Sequence, residues 1–276
     1  MRRLFAPTDE PAPARVASDA PFLIGLCVLS SVYMLLIAAM LLANASFTSP
    51  SHLWHALDSP EIRYAIKLSL LSCSLTTVLS LWVAVPIGYL MSRYPFRFKA
   101  LIDAMLDIPI VLPPLVIGLS LLILFQTSLG QAVESVFPVT YAIPSVILAQ
   151  FMVACAFAVR TMRVTFDQIS PRQEQIALTL GCNTSQAFWM VLMPAARRGI
   201  LSAATLAWAR SLGEFGPILV FSGATRMRTE VLPTTIFLEL SVGNIEAAVA
   251  VSLIMVAAAV VVLVVARLYG LRRPLG

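Results

Sequence analysis

Apolar residues in this chain come in long, nearly unbroken blocks, not in the short periods that mark the helices and strands of a soluble core. The first block runs from Pro21 to about Ala43, the second from Ala65 to Met91, the third from Ala104 to Phe125 and the fourth from Ala142 to Val159. After a polar interval from Arg160 to Arg198, a fifth block covers Gly199 to Phe221 and a sixth Glu246 to Ala266. A helix needs roughly 20 apolar residues to cross a bilayer. The pattern therefore predicts an all-α integral membrane protein with six transmembrane helices, lipid as its main surroundings and both termini on one side.

Composition agrees: 59% of the residues are hydrophobic and 12% charged, against about 25% charged in an ordinary soluble domain. Residues 1–20 hold Arg2, Arg3, Arg15 and three prolines and read as a disordered cytosolic tail. Ala43-Asn44-Ala45 is similar to a signal-peptidase site. Block one is longer than a signal-peptide core, which favours a retained first helix over 21–43.

The cations fix an orientation. With the N-terminus inside, the cytoplasmic segments hold Arg2, Arg3, Arg15, Arg93, Arg97, Lys99, Arg160, Arg163, Arg172, Arg197, Arg198, Arg267, Arg272 and Arg273. The external segments keep Arg63, Lys67, Arg226 and Arg228. Fourteen against four satisfies the positive-inside rule with cytoplasmic N- and C-termini. The net charge of +5 makes no basic face, since its arginines lie between apolar blocks, so nucleic acid is not expected as a partner.

Cys27, Cys73, Cys155 and Cys182 have no metal-ligand spacing, and no metal or cofactor is expected. His52 and His55, near Asp58 and Glu61, lack the spacing of a helical zinc pair and read as solvated loop residues. That argues against a membrane-embedded enzyme. Matching broken halves with midplane carboxylates, the mark of an ion-coupled secondary transporter, are also absent from the pattern.

The polar interval carries the sharpest signal. In SPRQEQIALTLGCNTSQAFWMVLMP, Ser170 is placed to cap a helix, with Pro171 first and Gln173 completing a capping box. Gly181 closes that helix, Asn183 opens a second with Gln186, and Pro194 follows its last turn. The spacing resembles the coupling loop of ABC importer permeases, Glu-Ala-Ala, three residues, Gly, nine residues, Ile-x-Leu-Pro. The match runs through Glu174, Gln175, Ala177, Gly181, Val191, Met193 and Pro194, with Gln175 for the usual Glu and Ile176 for the first Ala.

That resemblance implies a type I ABC importer permease fold over 59–270, with the coupling loop, 160–198, docking on cytosolic ATPase subunits. No GxxxxGK[ST] phosphate loop occurs in the chain, so it is expected to be a transport subunit and not itself an enzyme. Block three contains DIPIVLPPLVIG, whose Pro109, Pro113 and Pro114 would kink a membrane helix. Block five contains ARSLGEFG, with Arg210 and Glu214 four residues apart and able to pair. These segments resemble the molybdate, tungstate and sulfate branch, most closely the molybdate type.

The branch implies an external substrate-binding protein, a permease homodimer for molybdate (unlike pairs for sulfate) and a bacterial or archaeal plasma membrane. Arg210, Ser211 and Glu214 become candidates for the anion path or its gate. The competing reading of Arg210 and Glu214 is a structural bridge that fixes helix orientation or the subunit interface.

Overall fold

The computed structural model describes residues Ala20 to Leu271, and helices are the only regular structure among them. The expected tail thus falls, but for Ala20, outside the described residues. α1, Ala20–Phe47, forms a unit of its own. It is apolar on every side and none of its described side chains is buried within that unit, which suits a helix surrounded by hydrocarbon.

From Thr48 a second unit runs through α2 (Pro50–Asp58), α3 (Pro60–Arg93), α4 (Lys99–Val111), α5 (Pro114–Gln126), α6 (Ser128–Val136) and α7 (Ile143–Gln168). It continues with α8 (Pro171–Thr179), α9 (Thr184–Ala187), a π-helical turn at Phe188–Leu192, α10 (Met193–Leu212), α11 (Gly216–Phe221), α12 (Leu232–Ser241) and α13 (Ile245–Leu271).

The centre of this unit is the α3–α7–α10 bundle. One face of α3 is a row of small residues, Ser69, Cys73, Thr76, Ser80, Ala84 and Gly88, all buried. Small side chains let membrane helices approach closely and gain dispersion contacts that lipid cannot offer. At Gly88 the approach is tightest, because a Cβ there would sit 2.8 Å from Met162 Cβ and 2.9 Å from the Arg163 nitrogen.

Block three does not cross as one kinked helix. Its two halves, α4 and α5, meet at 110°. Leu112 and Pro113 each precede a proline, which pushes the residue before it out of the helical region. Both adopt extended backbone, with ψ of 140° and 134°, so the chain turns instead of bending. Pro109 stays inside α4, and Pro114 opens α5, where its missing N–H costs nothing.

The six expected spans are not all recovered as single long helices. Among the described residues four helices are long and apolar enough to cross alone: Phe22–Phe47, Pro60–Arg93, Ile143–Gln168 and Ile245–Leu268. The bent pair raises the number to five. Block five is not among them, because α10 carries Arg197, Arg198 and Arg210 and breaks at Gly213–Phe215 before α11. Block four also extends past its expected end at Val159, continuing as α7 to Gln168. Arg160 and Arg163 allow this because their charges are met on α4, Arg160 by Asp107 at 3.0 Å and Arg163 by Asp103.

The two breaks nest. A Cβ on Gly118 of α5 would sit 2.8 Å from Pro217 Cα, and one on Gly216 would sit 3.1 Å from the Leu115 nitrogen. Backbone therefore lies against backbone where both helices are interrupted.

Candidate coupling loop and broken membrane helix

The interval between α7 and α10 begins with a weaker cap than the sequence suggests. The Ser170 hydroxyl accepts from the Arg172 N–H at 3.4 Å, and Gln173 N–H bonds the Ser170 carbonyl at 3.2 Å. The expected Ser170–Gln173 capping box does not form. The far end of α8 closes as expected. Gly181 takes φ +93°, Cys182 N–H bonds the Ala177 carbonyl at 3.1 Å and Gly181 N–H the Leu178 carbonyl at 3.0 Å. This pair of bonds is the Schellman closure, which places its glycine where a side chain is disfavoured. Ala177 is buried beneath the turn.

The second capping box is complete. Asn183 Oδ1 accepts from Gln186 N–H at 2.8 Å, and Gln186 Oε1 accepts from Asn183 N–H at 2.9 Å. Pro194, however, does not stand after a finished helix. α9 runs through the π-helical turn, where Met193 N–H reaches the Phe188 carbonyl, straight into α10. A proline inside a helix clashes with the carbonyl four residues back, and one wide turn just before it accommodates the ring. The second half of the loop is thus continuous with α10.

Glu174 points inward. The Tyr89 hydroxyl donates to its Oε1 at 2.6 Å, and Arg93 Nε lies 3.3 Å from its Oε2. Arg93 Nη2 donates in turn to the Ile169 carbonyl at 2.8 Å. Glu174 and Arg93 side chains are only 12% and 10% exposed, so this is a shielded ion pair in which the Tyr89 hydroxyl, and not Arg93 Nε, supplies the aligned hydrogen bond. The Tyr89 ring meets Phe166 and Phe188 edge-on, with centroids 5.8 and 4.9 Å away. The loop is thereby fastened to the end of α3. Gln175 is exposed, as are Ile176, Leu180, Trp189 and Met190. Val191 and Met193 are half-buried and Pro194 exposed.

At the other end of α10, Arg210 and Glu214 pair at 2.7 Å, without the alignment of a full hydrogen bond. Glu214 lies beyond the last turn, within the break, and its side chain is 1% exposed against 31% for Arg210. The guanidinium also stands 5.7 Å from the centre of the Phe157 ring, a cation–π contact. Ser211 is fully buried and its hydroxyl donates to the Ala207 carbonyl at 2.8 Å. That proton is committed to the helix itself.

Sequence reasoning missed Gln150. Its Nε2 donates to the Ser211 carbonyl at 3.2 Å, and its Oε1 accepts from the Thr76 hydroxyl at 3.2 Å. One buried amide therefore joins α3, α7 and the end of α10. The signal was available: an amide inside an apolar block costs free energy unless it is bonded. Gln150→Leu keeps the volume and removes these bonds, and is expected to lower stability in detergent by about 1–2 kcal/mol. An unchanged melting temperature would show that the amide does not hold the break.

The opposite end of the bundle is also polar. Arg226 Nη2 donates to Glu239 Oε1 at 2.8 Å, Asn244 bonds Glu239 at 2.9 Å, and His52 lies 3.2 Å from Glu246. The histidines sit on α2, and His52 is a paired helical residue, not a solvated loop one. Glu230 is fully buried, which raises its carboxyl above the usual range. Among the described residues no group of three metal-ligating side chains converges.

Comparison with known proteins places this geometry. Residues 84–273 match the family described as binding-protein-dependent transport system inner membrane component. The chain is 33% identical to the molybdenum transport system permease protein ModB of Mycobacterium tuberculosis, over 87% of this chain and 90% of that one. It is 34% identical to a probable molybdenum ABC transporter permease protein of Haloferax volcanii, over 84% and 83%. It is 29% identical to the sulfate transport system permease protein CysT of Salmonella typhimurium, over 83% and 84%. A chain of a bacterial alginate ABC transporter, crystallised with its pentasaccharide-bound periplasmic protein, shares the fold at TM-score 0.73 and 15% identity, covering 92% of this chain and 96% of that one. The chain belongs to the binding-protein-dependent inner-membrane components, the permease subunits of ABC importers.

Proposed function

We propose that two copies of this chain form the membrane path of an ATP-driven importer for a tetrahedral oxyanion, with molybdate as the cargo. The observation that carries the mechanism is the continuity of the loop with α10. Its first half is fastened to α3 through Glu174, and its second half runs without a joint into the helix that ends at Arg210 and Glu214. A displacement applied to the loop by a cytosolic ATPase pair is delivered to the break, where the buried ion pair and the Gln150 amide hold the resting position.

The cargo is supported by charge and by the relatives. A tetrahedral dianion offers only acceptors, so its path needs cationic and N–H donors and few free carboxylates. Arg210 is the intramembrane cation of α10, and the carboxylate beside it, Glu214, is paired with it. The two molybdenum permeases above are more identical to this chain than the sulfate permease is. An external binding protein would deliver the anion and supply most of the selectivity. The test is uptake into vesicles holding the chain with its ATPase and binding protein, supplied with ATP and labelled molybdate, tungstate or sulfate. Saturable molybdate uptake that sulfate does not displace supports the reading. Uptake of sulfate alone reassigns the cargo, and ATP-independent uptake driven by an ion gradient overturns the class.

The arginine-rich ends of α3, α7, α10 and α13 are assigned to the cytosol. A variant retaining only Cys182, which is half-exposed in the loop, is expected to resist a membrane-impermeant thiol reagent in intact cells and to react in inverted vesicles. Labelling from outside would reverse the orientation.

A further inference from the structure

The two flanks of α7 differ in charge. On one, against α4, Asp103, Asp107 and Asp167 accompany Arg160 and Arg163. On the other, against α10, lies a groove of about 540 Å³ with no Asp or Glu in its lining. Its polar lining is Arg160, Thr161, Thr165, Gln168, Arg198 and Ser202. Among the described residues Arg198 has no carboxylate within ion-pair distance. Arg160 is shared between the flanks: it lines the groove while its Nη1 donates to Asp107 at 3.0 Å.

The groove is also connected to the break. Its inner wall is Phe157, whose ring carries the Arg210 guanidinium, and Leu206, one turn before Arg210. From Arg198 to Arg210 the helix climbs about 18 Å. Helices α7 and α10 come into contact at its floor, where a Cβ on Gly199 would overlap Thr165. Two arginines at the arginine-rich end thus share a groove whose apolar end includes Phe157, the ring beneath the intramembrane arginine.

We propose that this groove is the release site for the transported oxyanion, with Arg160 and Arg198 as its charge partners and Asp107 as the competitor that ends the contact. The proposal rests on the oxyanion reading above and adds a site and a release step to it. A dianion entering the groove meets two guanidiniums, each able to donate two parallel bonds. The hydroxyls of Thr161, Thr165 and Ser202 donate to their own helices, at 2.8, 2.8 and 3.0 Å, and serve the anion only after rotating. Asp107 already holds Arg160 and regains it as the anion departs. Weak binding is what an exit requires, since a site that held the anion tightly would slow delivery.

The experiment measures binding of labelled molybdate to the permease–ATPase complex in lipid nanodiscs, without nucleotide and without the binding protein. Arg198→Gln and Arg160→Gln are each expected to weaken binding by about tenfold or more, the scale of one charged hydrogen bond. Asp107→Asn is expected to do the opposite, tightening binding severalfold and slowing the release phase of ATP-driven uptake. A purely structural role for the α4–α7 ion pair would give loss in all three. In parallel, Ser202→Cys in a cysteine-free background is probed with a thiol reagent. Protection by molybdate supports the site, whereas labelling at the same rate with and without molybdate would overturn it. Unchanged binding in all three variants, with wild-type molybdate uptake intact, removes the groove and leaves the function standing. No uptake of any oxyanion by the wild-type assembly removes the function itself.

Discussion

Arg210→Ala is expected to lower the stability of the purified protein more than Glu214→Ala, with the double variant Arg210→Ala/Glu214→Gln recovering most of the loss. The asymmetry comes from burial. Glu214 is 1% exposed, so deleting Arg210 strands a buried carboxylate, and among the described residues no other cation lies within ion-pair distance of it. Removing one partner of a buried pair typically costs about 3–5 kcal/mol, while replacing both with neutral groups is often near neutral. Deleting Glu214 leaves a guanidinium that is 31% exposed and still stands over Phe157, so part of its charge is solvated and part rests on the ring. Thermal unfolding of both single variants and the double in detergent measures the coupling. Additive losses would mean that the contact contributes nothing and that Arg210 is free to serve the anion alone.

What is legible in the sequence is what local chemistry decides. Asn183 and Gln186 sit three residues apart and close their capping box because each supplies what the other's backbone lacks. Gly181 sits in a left-handed turn because a helix commonly ends with such a residue. The apolar blocks mark the membrane helices for the same reason, since hydrocarbon selects on each residue separately. Arg210 and Glu214 can be paired from their spacing alone.

The differences between expectation and structure have another origin. Arg160 and Arg163 look like the exit of block four from the membrane, yet α7 runs on because α4 supplies Asp107 and Asp103. Pro113 and Pro114 read as a kink, whereas each forces its predecessor out of the helix and two in succession give a 110° turn. Glu174 belongs to the proposed coupling loop by position, but its side chain is turned to Tyr89 and Arg93, far away in sequence. Gln150 bridges three helices that no local window contains. In each case a partner outside the local window, or the sum of two local constraints, decides the outcome, and periodicity carries no record of it.

Gly181→Val is expected to abolish uptake while the subunit still inserts at close to normal abundance. Among the described residues no atom lies within 4 Å of where the new Cβ would be. The obstacle is the backbone, at φ +93°. Holding a side-chain-bearing residue there costs on the order of 1–2 kcal/mol, and β-branching adds to it. The cheaper response is to open the Schellman closure, releasing the bonds from Gly181 and Cys182 to Leu178 and Ala177. That shifts the end of α8 against α9, the two faces that the proposed ATPase contact needs in fixed relation. Asparagine tolerates the left-handed region better than valine does, so Gly181→Asn separates the two causes. If backbone strain is the fault, the asparagine variant keeps most of its uptake and co-purifies with the ATPase while the valine variant does neither. Equal failure of both variants would place the ATPase surface directly against this residue. Normal uptake by the valine variant would leave the loop an ordinary surface hairpin and remove its role in coupling.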